Sequence, residues 1–571
     1  MKFLASKERK DLLPCIGICL VVAAAFFPSL SNGFTNFDDN AYLTENPLVR
    51  SLAPGNIRRI FTTTRPHTVF APLVTLSFAL EYRIWQLDPR GYHALNLLLH
   101  VFNALLVFFL IRGICRSPAT AFFTSLLFAV HPLRVESVAW ITERKDLLFT
   151  FFLLLALLFY RRYLKKNSGR DYLATLLLFV CAILSKMNAL VLPLLLLLMD
   201  WKFEKRIAGK RWLEKLPFAA ILLLYGVSSW SSLQAFSVGD PRQDPAALHS
   251  VMAQNSLQVI PFYLQKTACP SRLSAHYPTD MRFFMPPLWV SILLSLALVA
   301  ASFLLLRKTW REWLWGWGFF LIALLPVFGV VWHFFPVANR YSYLPAIGLS
   351  YVLVMAVSRA GEVPVRWKKL KMIGAAFGVF ILLLFAAASF LRCRVWHDSI
   401  SLWDDVIAKY PMIPLAYNNR ASALKASGRL DAALADYTQA IQLMPHAGFF
   451  WNRGQARLQN NQSAEAGEDF HEAILNDPEY FRVYGRMMLD RHGRSGYELV
   501  IAMGKRVLAA RPDARIHVKM AETYIRLRRW PEAEFHLREA VRLAPGQQEY
   551  QRALQTFHQA LQGPAPRPEG R

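Results

Sequence analysis

The chain has 571 residues, of which 54% are hydrophobic, and its formal net charge is +26. Its mean hydropathy of +0.26 excludes an ordinary soluble globular protein of this size and indicates a protein that crosses a membrane several times. The charge does not indicate a nucleic-acid partner. Much of the excess Lys and Arg lies in short segments between apolar runs, where the cytoplasmic loops of membrane proteins carry it.

Eleven apolar runs have a length and composition that suit a membrane span. They lie at about 12–31, 92–111, 118–131, 146–160, 171–185, 188–200, 216–233, 286–306, 312–332, 342–358 and 370–391. The basic segment MKFLASKERK precedes the first run, and we interpret the two together as a retained anchor and not as a cleaved signal peptide.

The stretch 171–200 is the hardest of these runs to assign, and we interpret it as two short spans interrupted around Lys186. Basic segments flank it, RRYLKKNSGR before and KFEKRIAGKR after. The positive-inside rule makes both segments cytoplasmic, so the chain between them crosses twice. The N-terminus is then cytoplasmic, and everything after residue 391 is extracytoplasmic. Short loops favour a bacterial inner membrane with a periplasmic C-terminal part.

The first predicted external loop begins with SNGFTNFDDNAYLTENPLV, residues 31–49, which contains the adjacent carboxylates Asp38 and Asp39. Charges next to a membrane are costly to bury without a function. Such a pair acts as a general base, binds a divalent cation, or caps a short helix, and the residues alone leave all three roles open. Later in this loop, NIRRIFTTT and VFAPLVTLSFALEYRIWQL have the composition of helices that lie in the membrane interface.

The second external loop, HPLRVESVAWITERKDLL, is dense in ionisable groups: His131, Arg134, Glu136, Glu143, Arg144, Lys145 and Asp146. Pro132 suits a helix start, and a helix N-terminus beside Arg and Lys favours an anion such as phosphate. The alternative is a solvated loop with local ion pairs. Arg340, in ANRYSYLP, lies at the same predicted surface and is either a phosphate ligand or an interfacial anchor.

Polar residues also lie within the second span. His93, Asn96, His100 and Asn103 are offset by 0, 3, 7 and 10 positions, so they share one helix face. Polar groups in a span most often join helices by hydrogen bonds, each contributing roughly 1 kcal/mol. We favour that structural role over a catalytic one.

From about residue 394 the sequence becomes polar and periodic. Prolines recur at intervals of 33 or 34 residues, at Pro411, Pro445, Pro478, Pro512 and Pro545. Small and aromatic residues keep the same register, a pattern typical of tetratricopeptide repeats, in which small residues let neighbouring helices approach closely.

This periodicity predicts four repeats, with the third (about 480–512) degenerate, a preceding half-unit at about 399–411 and a closing helix near 547–562. The predicted domains are therefore a membrane domain at 1–393 and an extracytoplasmic repeat domain at 394–562. Residues 563–571, GPAPRPEGR, have the composition of a disordered tail.

Five segments in order carry a resemblance to a known family: FTNFDDNAYLTENPLV, HPLRVESVAWITERKDLL, YLQKTACPSRLSAHYP, ANRYSYLPAIGLSYV and RVWHDSISLWDDVIAKYP. Together they resemble the transmembrane and tetratricopeptide-repeat-containing O-mannosyltransferases and their bacterial relatives, a branch of the C-type membrane glycosyltransferases. The resemblance implies an all-α fold, a GT-C-like bundle of about 11 spans followed by a tetratricopeptide α-solenoid. It also implies transfer of a sugar from a polyprenyl-phosphate carrier to an acceptor protein or peptide presented by the repeats.

The resemblance further implies roles for individual residues. An acidic residue of the first loop, here Asp38 or Asp39, is the expected base, and Glu136 belongs to the expected catalytic set. His131, Arg144 and Arg340 match positions of the family, and with Lys145, a neighbouring cation that could stabilise the departing phosphate, they are the expected ligands of the donor phosphate. The chain departs from the family at Glu143, where a small residue is usual, and at Asn339, where Glu is common. No metal or other cofactor is assigned, and a divalent cation at the Asp pair stays open.

We therefore expect an inverting glycosyltransferase of the cytoplasmic membrane that takes mannose or another hexose from a lipid-linked donor. One alternative is a membrane polysaccharide ligase or polymerase, although such proteins tend to use basic residues of a late external loop. Another alternative, from a different class, is a membrane-anchored scaffold whose repeats assemble partners.

Overall fold

The computed structural model describes residues 2–63, 69–204, 209–236, 245–330, 337–360 and 368–562. Every regular element in these ranges is a helix, so the predicted all-α class is confirmed. The chain forms two compact units, Met1–Pro411 and Met412–Arg571. The first unit thus includes the segment 394–411, which the periodicity assigned to the repeat domain. The predicted tail at 563–571 lies outside the described residues.

The first unit is a bundle of α-helices. They are α1 (Lys2–Phe26), α2 (Pro54–Thr62), α3 (Pro72–Trp85), α4 (Pro89–Cys115), α5 (Pro118–Val130), α6 (Val135–Ala139), α7 (Arg144–Lys166), α8 (Gly169–Ser185), α9 (Leu192–Glu204), α10 (Gly209–Leu213), α11 (Leu216–Phe236), α12 (Pro245–Ala268), α13 (Leu288–Leu306), α14 (Trp310–Val330), α15 (Ala346–Ala360), α16 (Lys368–Cys393) and α17 (Ser399–Lys409). A helix covers the greater part of each predicted apolar run.

Five stretches of the described chain are long and apolar enough to cross a membrane. They are Asp11–Ser31, Pro89–Cys115, Ile141–Lys166, Leu288–Phe328 and Met372–Trp396, and shorter apolar helices lie at Pro118–Val130 and Ala346–Arg359. A chain with this many apolar helices is suited to cross the membrane several times. The number of about eleven spans stays a prediction.

Lys186 separates α8 from α9, as predicted. The backbone of Lys186 is extended, with φ −160°, and a short 3₁₀ turn at Met187–Val191 precedes α9. The Lys186 ammonium lies 3.2 Å from a carboxylate oxygen of Glu143 and 2.6 Å from one of Asp146. A charge that is largely buried needs such partners. The ion pairs therefore stabilise the break in the apolar stretch.

Helices α2 and α3 form in the first loop where the composition predicted helices. Each begins at a proline, Pro54 or Pro72, in the first turn, where the missing N–H has no intrahelical partner to lose. Helix α3 buries Val74, Phe78 and Glu81, so one face of it packs inside the protein. That these helices lie in a membrane interface stays a prediction.

The polar face of α4 joins helices, which confirms the structural interpretation. Its members are all fully buried: His93, Asn96, His100 and Asn103. Asn103 donates to the carbonyl of Leu147 at 3.0 Å, and the His100 ring makes a 2.7 Å hydrogen bond with the Tyr343 hydroxyl. The polar face thereby connects α4 to the start of α7, which follows the second predicted external loop, and to Tyr343 in the ANRYSYLP segment before α15.

Helices α14 and α15 approach each other closely at Gly316 and Gly348. A Cβ on Gly348 would overlap the carbonyl oxygen of Gly316 and lie 2.7 Å from the amide nitrogen of Phe320. These are backbone atoms within a helix and cannot move aside as a side chain can. Small residues at a crossing allow the close packing by which membrane helices associate. The crossing therefore fixes the start of α15, just after Arg340.

In its described residues, up to Gln562, the second unit consists of four helical hairpins and a closing helix. The hairpins pair α18 (Pro414–Ala426) with α19 (Leu430–Leu443), α20 (Ala447–Gln459) with α21 (Ser463–Asn476), α22 (Glu479–His492) with α23 (Gly496–Ala510), and α24 (Ala514–Arg526) with α25 (Trp530–Leu543), and α26 (Gln548–Gln562) follows. Four two-helix repeats and a closing helix were predicted. The degenerate third repeat keeps the hairpin form, and the predicted half-unit is α17, within the first unit.

Each of the first two hairpins contains a partly buried ion pair. Arg420 lies 2.7 Å from Asp436, and the corresponding Arg453 lies 2.7 Å from Asp469. Each pair joins the two helices of its hairpin in the same register. A small residue supports the packing as well, because a Cβ on Gly454 would lie 2.7 Å from the Phe470 ring.

We predict that Gly348→Ala lowers the melting temperature of the detergent-solubilised chain, because an added methyl group at a close backbone contact costs about 1–3 kcal/mol. Gly374→Ala on α16 is the matched control, since a Cβ there would meet nothing within 4 Å. Thermal unfolding of both variants beside the wild type measures the effect. Equal melting temperatures for all three would contradict the assigned crossing.

Candidate active site at the Asp38–Asp39 loop

Asp39 joins the first loop to the second. Its side chain is 1% exposed. Oδ2 accepts hydrogen bonds from the N–H and hydroxyl of Thr35 at 2.8 and 3.1 Å, and Oδ1 accepts from the N–H and hydroxyl of Thr142 at 3.1 and 2.5 Å. Burial raises the pKa of Asp39, and these hydrogen bonds oppose the rise. Both oxygens accept hydrogen bonds, one from Thr35 in the first loop and the other from Thr142 in the second. Asp39 therefore holds the two loops together, and we call this arrangement the clamp.

Asp38 has a different environment. It is half-buried, and within the described residues its carboxylate makes no hydrogen bond and no ion pair within 4 Å. Burial raises the pKa of Asp38 to about 6, although the Lys145 ammonium and the Arg340 guanidinium lower it. A carboxylate with unoccupied lone pairs and a pKa near neutrality is suited to accept a proton.

Arg340 and Lys145 are the cations that act on Asp38. Arg340 donates to Glu136 Oε1 at 2.6 Å, and its Nε lies 3.7 Å from Glu143, which also lies 3.5 Å from the Lys145 ammonium. The two cationic side chains are 11% and 9% exposed. They are held by carboxylates yet reachable from outside, as an anion-binding pair must be.

Glu136 is placed to orient Arg340. Its side chain is 2% exposed, and Oε1 accepts the guanidinium hydrogen bond. The other oxygen, Oε2, is buried without a hydrogen bond of ordinary geometry in the described part of the chain. Burial raises the pKa of Glu136, and the nearby Arg340 opposes the rise. A substrate therefore reaches the buried Glu136 carboxylate much less easily than the half-buried carboxylate of Asp38.

Lys186 is a site residue that the sequence reasoning left out. It pairs with Glu143 and Asp146, and Ser137 donates to the second oxygen of Asp146 at 3.2 Å. Without Lys186, two buried carboxylates would lie close together uncompensated. The signal in the sequence was a lone lysine at a break in an apolar stretch.

Aromatic rings form the wall beside Asp38. Phe37 stacks on Trp140 with centroids 4.6 Å apart and planes 15° apart, and Trp140 stacks on Trp396 at 5.5 Å. The Arg340 guanidinium lies 5.5 Å from the Trp140 ring centroid. The sequence alone could not predict this stack, because its members come from distant parts of the chain.

Arg144 lies away from the cations that face Asp38. It is fully buried, and it donates to both carboxylate oxygens of Glu81, to the side chains of Asn96 and Ser77, and to the Tyr92 carbonyl. These five acceptors match the five N–H groups of a guanidinium. In this structure no Arg144 donor is available to a phosphate, so its geometry is that of a link between α7, α3 and α4.

His131 also serves the local structure. Nδ1 accepts the N–H of Leu133 at 3.2 Å, which caps the turn that begins at Pro132, and Nε2 lies 3.1 Å from the carbonyl oxygen of Thr267. Both ring nitrogens are therefore occupied, with Nε2 as the donor. In this structure His131 therefore has no free ring nitrogen for the predicted contact with a donor phosphate.

The described part of this site offers few ligands to a metal ion. Within the described residues, no group of three or more His, Cys, Asp or Glu side chains is arranged to hold a metal ion. Asp39 has both oxygens committed to Thr35 and Thr142, which leaves Asp38 as the accessible carboxylate of the pair.

Comparison with known proteins places the chain in a family context. A family model described as dolichyl-phosphate-mannose-protein mannosyltransferase matches residues 61–230, and a tetratricopeptide repeat model matches residues 414–447. Protein O-mannosyl-transferase TMTC1 of Homo sapiens is 25% identical over 499 residues, covering 75% of this chain and 54% of its own. This chain is a relative of the transmembrane and tetratricopeptide-repeat O-mannosyltransferases. The predicted resemblance is confirmed.

Two further O-mannosyltransferases are similar to the chain. Protein O-mannosyl-transferase Tmtc3 of Drosophila melanogaster is 24% identical over 570 residues, covering 82% of this chain and 59% of its own, and Tmtc1 of the same organism is 31% identical over 202 residues, covering 34% and 24%. The chain therefore spans from a quarter to three-fifths of the length of these O-mannosyltransferases. A solved structure, of the APC/C hetero-tetramer Cut9-Hcn1, aligns with 13% identity, covering 86% of this chain and 91% of its own, at a TM-score of 0.19, which supports no argument.

We predict that Asp39→Asn destabilises the chain. The amide nitrogen would face a threonine donor, and leaving buried donors unsatisfied costs about 1–3 kcal/mol. Asp38→Asn is the matched comparison, because within the described residues the Asp38 side chain makes no hydrogen bond that the change would remove. Thermal unfolding should show a lower melting temperature for Asp39→Asn alone. A melting temperature unchanged by Asp39→Asn would remove its role as a clamp between the two loops.

Proposed function

We propose that the chain is an inverting membrane glycosyltransferase that transfers a hexose from a polyprenyl-phosphate donor to an acceptor hydroxyl. The names of its relatives support protein O-mannosylation, and the family model that matches residues 61–230 is described by a dolichyl-phosphate-mannose donor. The observation that carries the proposal is the contrast between Asp38 and Asp39. Of the two neighbouring carboxylates, one is consumed by hydrogen bonds and the other is left accessible beside two cations.

In the proposed reaction Asp38 takes the proton of the acceptor hydroxyl as its oxygen attacks the anomeric carbon. The bond from that carbon to the phosphate oxygen breaks, and its electron pair leaves with the polyprenyl phosphate. Attack from the face opposite the leaving group inverts the anomeric configuration. The raised pKa of Asp38 suits this role, because a base works best when its pKa is near the working pH.

Arg340 and Lys145 are proposed to stabilise the departing phosphate. Negative charge grows on the phosphate as the bond breaks, and preorganised cations in a site with little water stabilise such charge strongly. Glu136 and Glu143 already hold the two cations in place, so little reorganisation is needed when the phosphate arrives. We assign Glu136 to this orienting role, with no direct part in proton transfer.

Asp39, Arg144 and His131 are proposed as positioning residues. Each has its polar atoms occupied by protein partners: Asp39 by the two threonines, Arg144 chiefly by Glu81, and His131 by its helix turn and the Thr267 carbonyl. This role would explain why these three residues match positions of the family: they hold in place the segments around Asp38.

The proposed reaction takes place on the extracytoplasmic face of the inner membrane, with the N-terminus in the cytoplasm. The positive-inside charge pattern supports this orientation. The tetratricopeptide unit is proposed to bind the acceptor protein, because repeats of this kind present extended binding surfaces. Lipid-linked sugar, acceptor protein and membrane lipid are thus the proposed partners.

We predict that Asp38→Asn lowers transfer at least about 100-fold, since the loss of a general base typically costs 10²–10⁴-fold. The measurement is transfer of labelled sugar from a panel of polyprenyl-phosphate sugars by the purified full chain. Asp88→Asn, at the exposed N-cap of α4, where Asn caps a helix about as well as Asp, is the matched control and should retain wild-type turnover. Full activity of Asp38→Asn would eliminate the assigned base. A scaffold predicts no donor consumption by any of the three proteins.

The pH dependence of transfer offers a separate prediction. Asp38 must be deprotonated to accept a proton, and burial raises its pKa to about 6. We therefore expect kcat/KM to rise about tenfold per pH unit below 6 and to level off above it, because kcat/KM reports ionisation in the free enzyme. Initial rates between pH 4.5 and 8 measure this. A midpoint near 4, the ordinary value for Asp, would contradict the assignment.

A further inference from the structure

The segment from Cys393 to Trp403 holds the chain that leads to Asp38. It does so through hydrogen bonds to three residues of the first loop: Asn32 Nδ2 donates to the Cys393 carbonyl at 3.0 Å, the Gly33 N–H to the His397 carbonyl at 2.8 Å, and the Asn36 N–H to Ser399 Oγ at 2.9 Å, while Trp403 Nε1 donates to Asn36 Oδ1 at 2.7 Å. Bonds to both the backbone and the side chain fix Asn36, two residues before Asp38.

Phe37 adds an apolar contact to these hydrogen bonds. Its ring lies between Trp140, on which it stacks at 4.6 Å, and Trp403, which it meets edge-on at 5.3 Å. Trp403 is fully buried. Aromatic pairs of this kind contribute roughly 0.5–1.5 kcal/mol beyond their buried area. The residue immediately before Asp38 is thus held by rings from α17 and from the second loop.

The other end of α17 reaches the loop that supports Arg340. Lys409 Nζ donates to the Leu273 carbonyl at 2.6 Å, and Arg272 donates to the Lys409 carbonyl at 2.9 Å. In the same loop, the Ser274 carbonyl accepts the Asn339 side-chain amide at 2.7 Å. Asn339 directly precedes Arg340, so α17 is connected to the Arg340 side of the site as well.

Helix α17 is itself firmly fixed in the first unit. Asp398 caps its N-terminus by accepting the Ser401 N–H at 2.8 Å. Asp405 accepts two hydrogen bonds from Arg392, at the end of α16, at 2.8 and 2.9 Å, and it also pairs with Lys409. A helix with both of its ends and its middle anchored can hold two loops at a set separation.

We infer that α17 is a positioning element of the active site, which sets the separation between Asp38 and Arg340 by binding the loops that carry them. The inference rests on the proposed function, in which those residues are the base and the phosphate ligand. An in-line displacement requires both groups at fixed distances from the sugar, and a misplacement of about 1 Å can cost roughly 100-fold in rate. Trp403 positions the base, and Lys409 positions the phosphate ligand.

Trp403→Phe tests the first arm, because it keeps an aromatic ring and removes the N–H that binds Asn36. We expect kcat to fall about 10- to 100-fold with little change in KM for the donor. A looser loop also hydrates Asp38, so the midpoint of the pH profile should move below 6. Trp289→Phe is the matched control, since Trp289 is 67% exposed on α13, and it should leave both quantities unchanged.

Lys409→Met tests the second arm, because it keeps the length of the side chain and removes the bond to Leu273. We expect KM for the polyprenyl-phosphate sugar to rise about tenfold, with the pH midpoint kept near 6. Trp403→Phe should change mainly kcat, and Lys409→Met mainly KM. A general loss of folded protein would instead lower the apparent kcat in both variants and leave KM unchanged. Both variants lose a buried contact, so their kinetics are measured at a temperature below the melting transition of either variant.

Hydrogen exchange of the full chain tests the contacts apart from activity. Amides of residues 32–39 should exchange faster in Trp403→Phe, and those of 270–277 faster in Lys409→Met. Unchanged exchange in both would overturn the inference, as would faster exchange with wild-type kinetics. If wild-type protein transfers no sugar while exchange changes as expected, the proposed function fails and the positional role of α17 in holding the loops stands.

Discussion

Four hydrogen bonds to the buried carboxylate of Asp39 hold the candidate site together. They connect Thr35 of the first loop to Thr142 of the second, although about a hundred residues separate these loops in the chain. Thr142 lies three residues before Lys145, and Asp39 directly follows Asp38. The clamp therefore brings a carboxylate from one loop beside a cation from the other, and the remaining geometry builds on that contact.

Charge balance explains why Asp38 stands apart. Three cations, Lys145, Lys186 and Arg340, lie among three paired carboxylates, those of Glu136, Glu143 and Asp146. Within the described residues these six groups pair with one another, and Asp38 remains as an additional negative charge without an ion pair. Desolvation then outweighs the attraction of Lys145 and Arg340 for the Asp38 carboxylate, which accounts for its raised pKa. Under the proposed function, the paired cations stabilise the departing phosphate, and the accessible carboxylate of Asp38 takes the proton of the acceptor hydroxyl.

Much of the fold followed from periodicity and charge. Apolar length located the helices, the positive-inside rule required the break at Lys186, and proline spacing located the helical hairpins, because each of these signals is local in sequence. The roles within the site were not local. Asp38 and Asp39 are indistinguishable as residue types, and only the positions of Thr35 and Thr142 separate the clamp from the accessible carboxylate.

Arg144 and His131 illustrate the same limit. Their residue types and their place in a charged loop favoured phosphate, yet Arg144 is bound by Glu81, 63 residues away, and His131 by the Thr267 carbonyl, 136 residues away. Pairing over such distances depends on how the helices pack and leaves no mark in a single sequence. Trp403 is a similar case, since its bond to Asn36 spans 367 residues.

The stereochemistry of transfer tests the central claim most directly. Purified full chain would be supplied with a polyprenyl-phosphate mannose of known anomeric configuration and an acceptor peptide, and the new linkage would be assigned by nuclear magnetic resonance. The proposed arrangement, in which one accessible base faces a phosphate-binding pair, predicts a single displacement, so the product should have the anomeric configuration opposite to that of the donor. A product that retains the donor's configuration would contradict the account, as would a donor that is bound and never consumed.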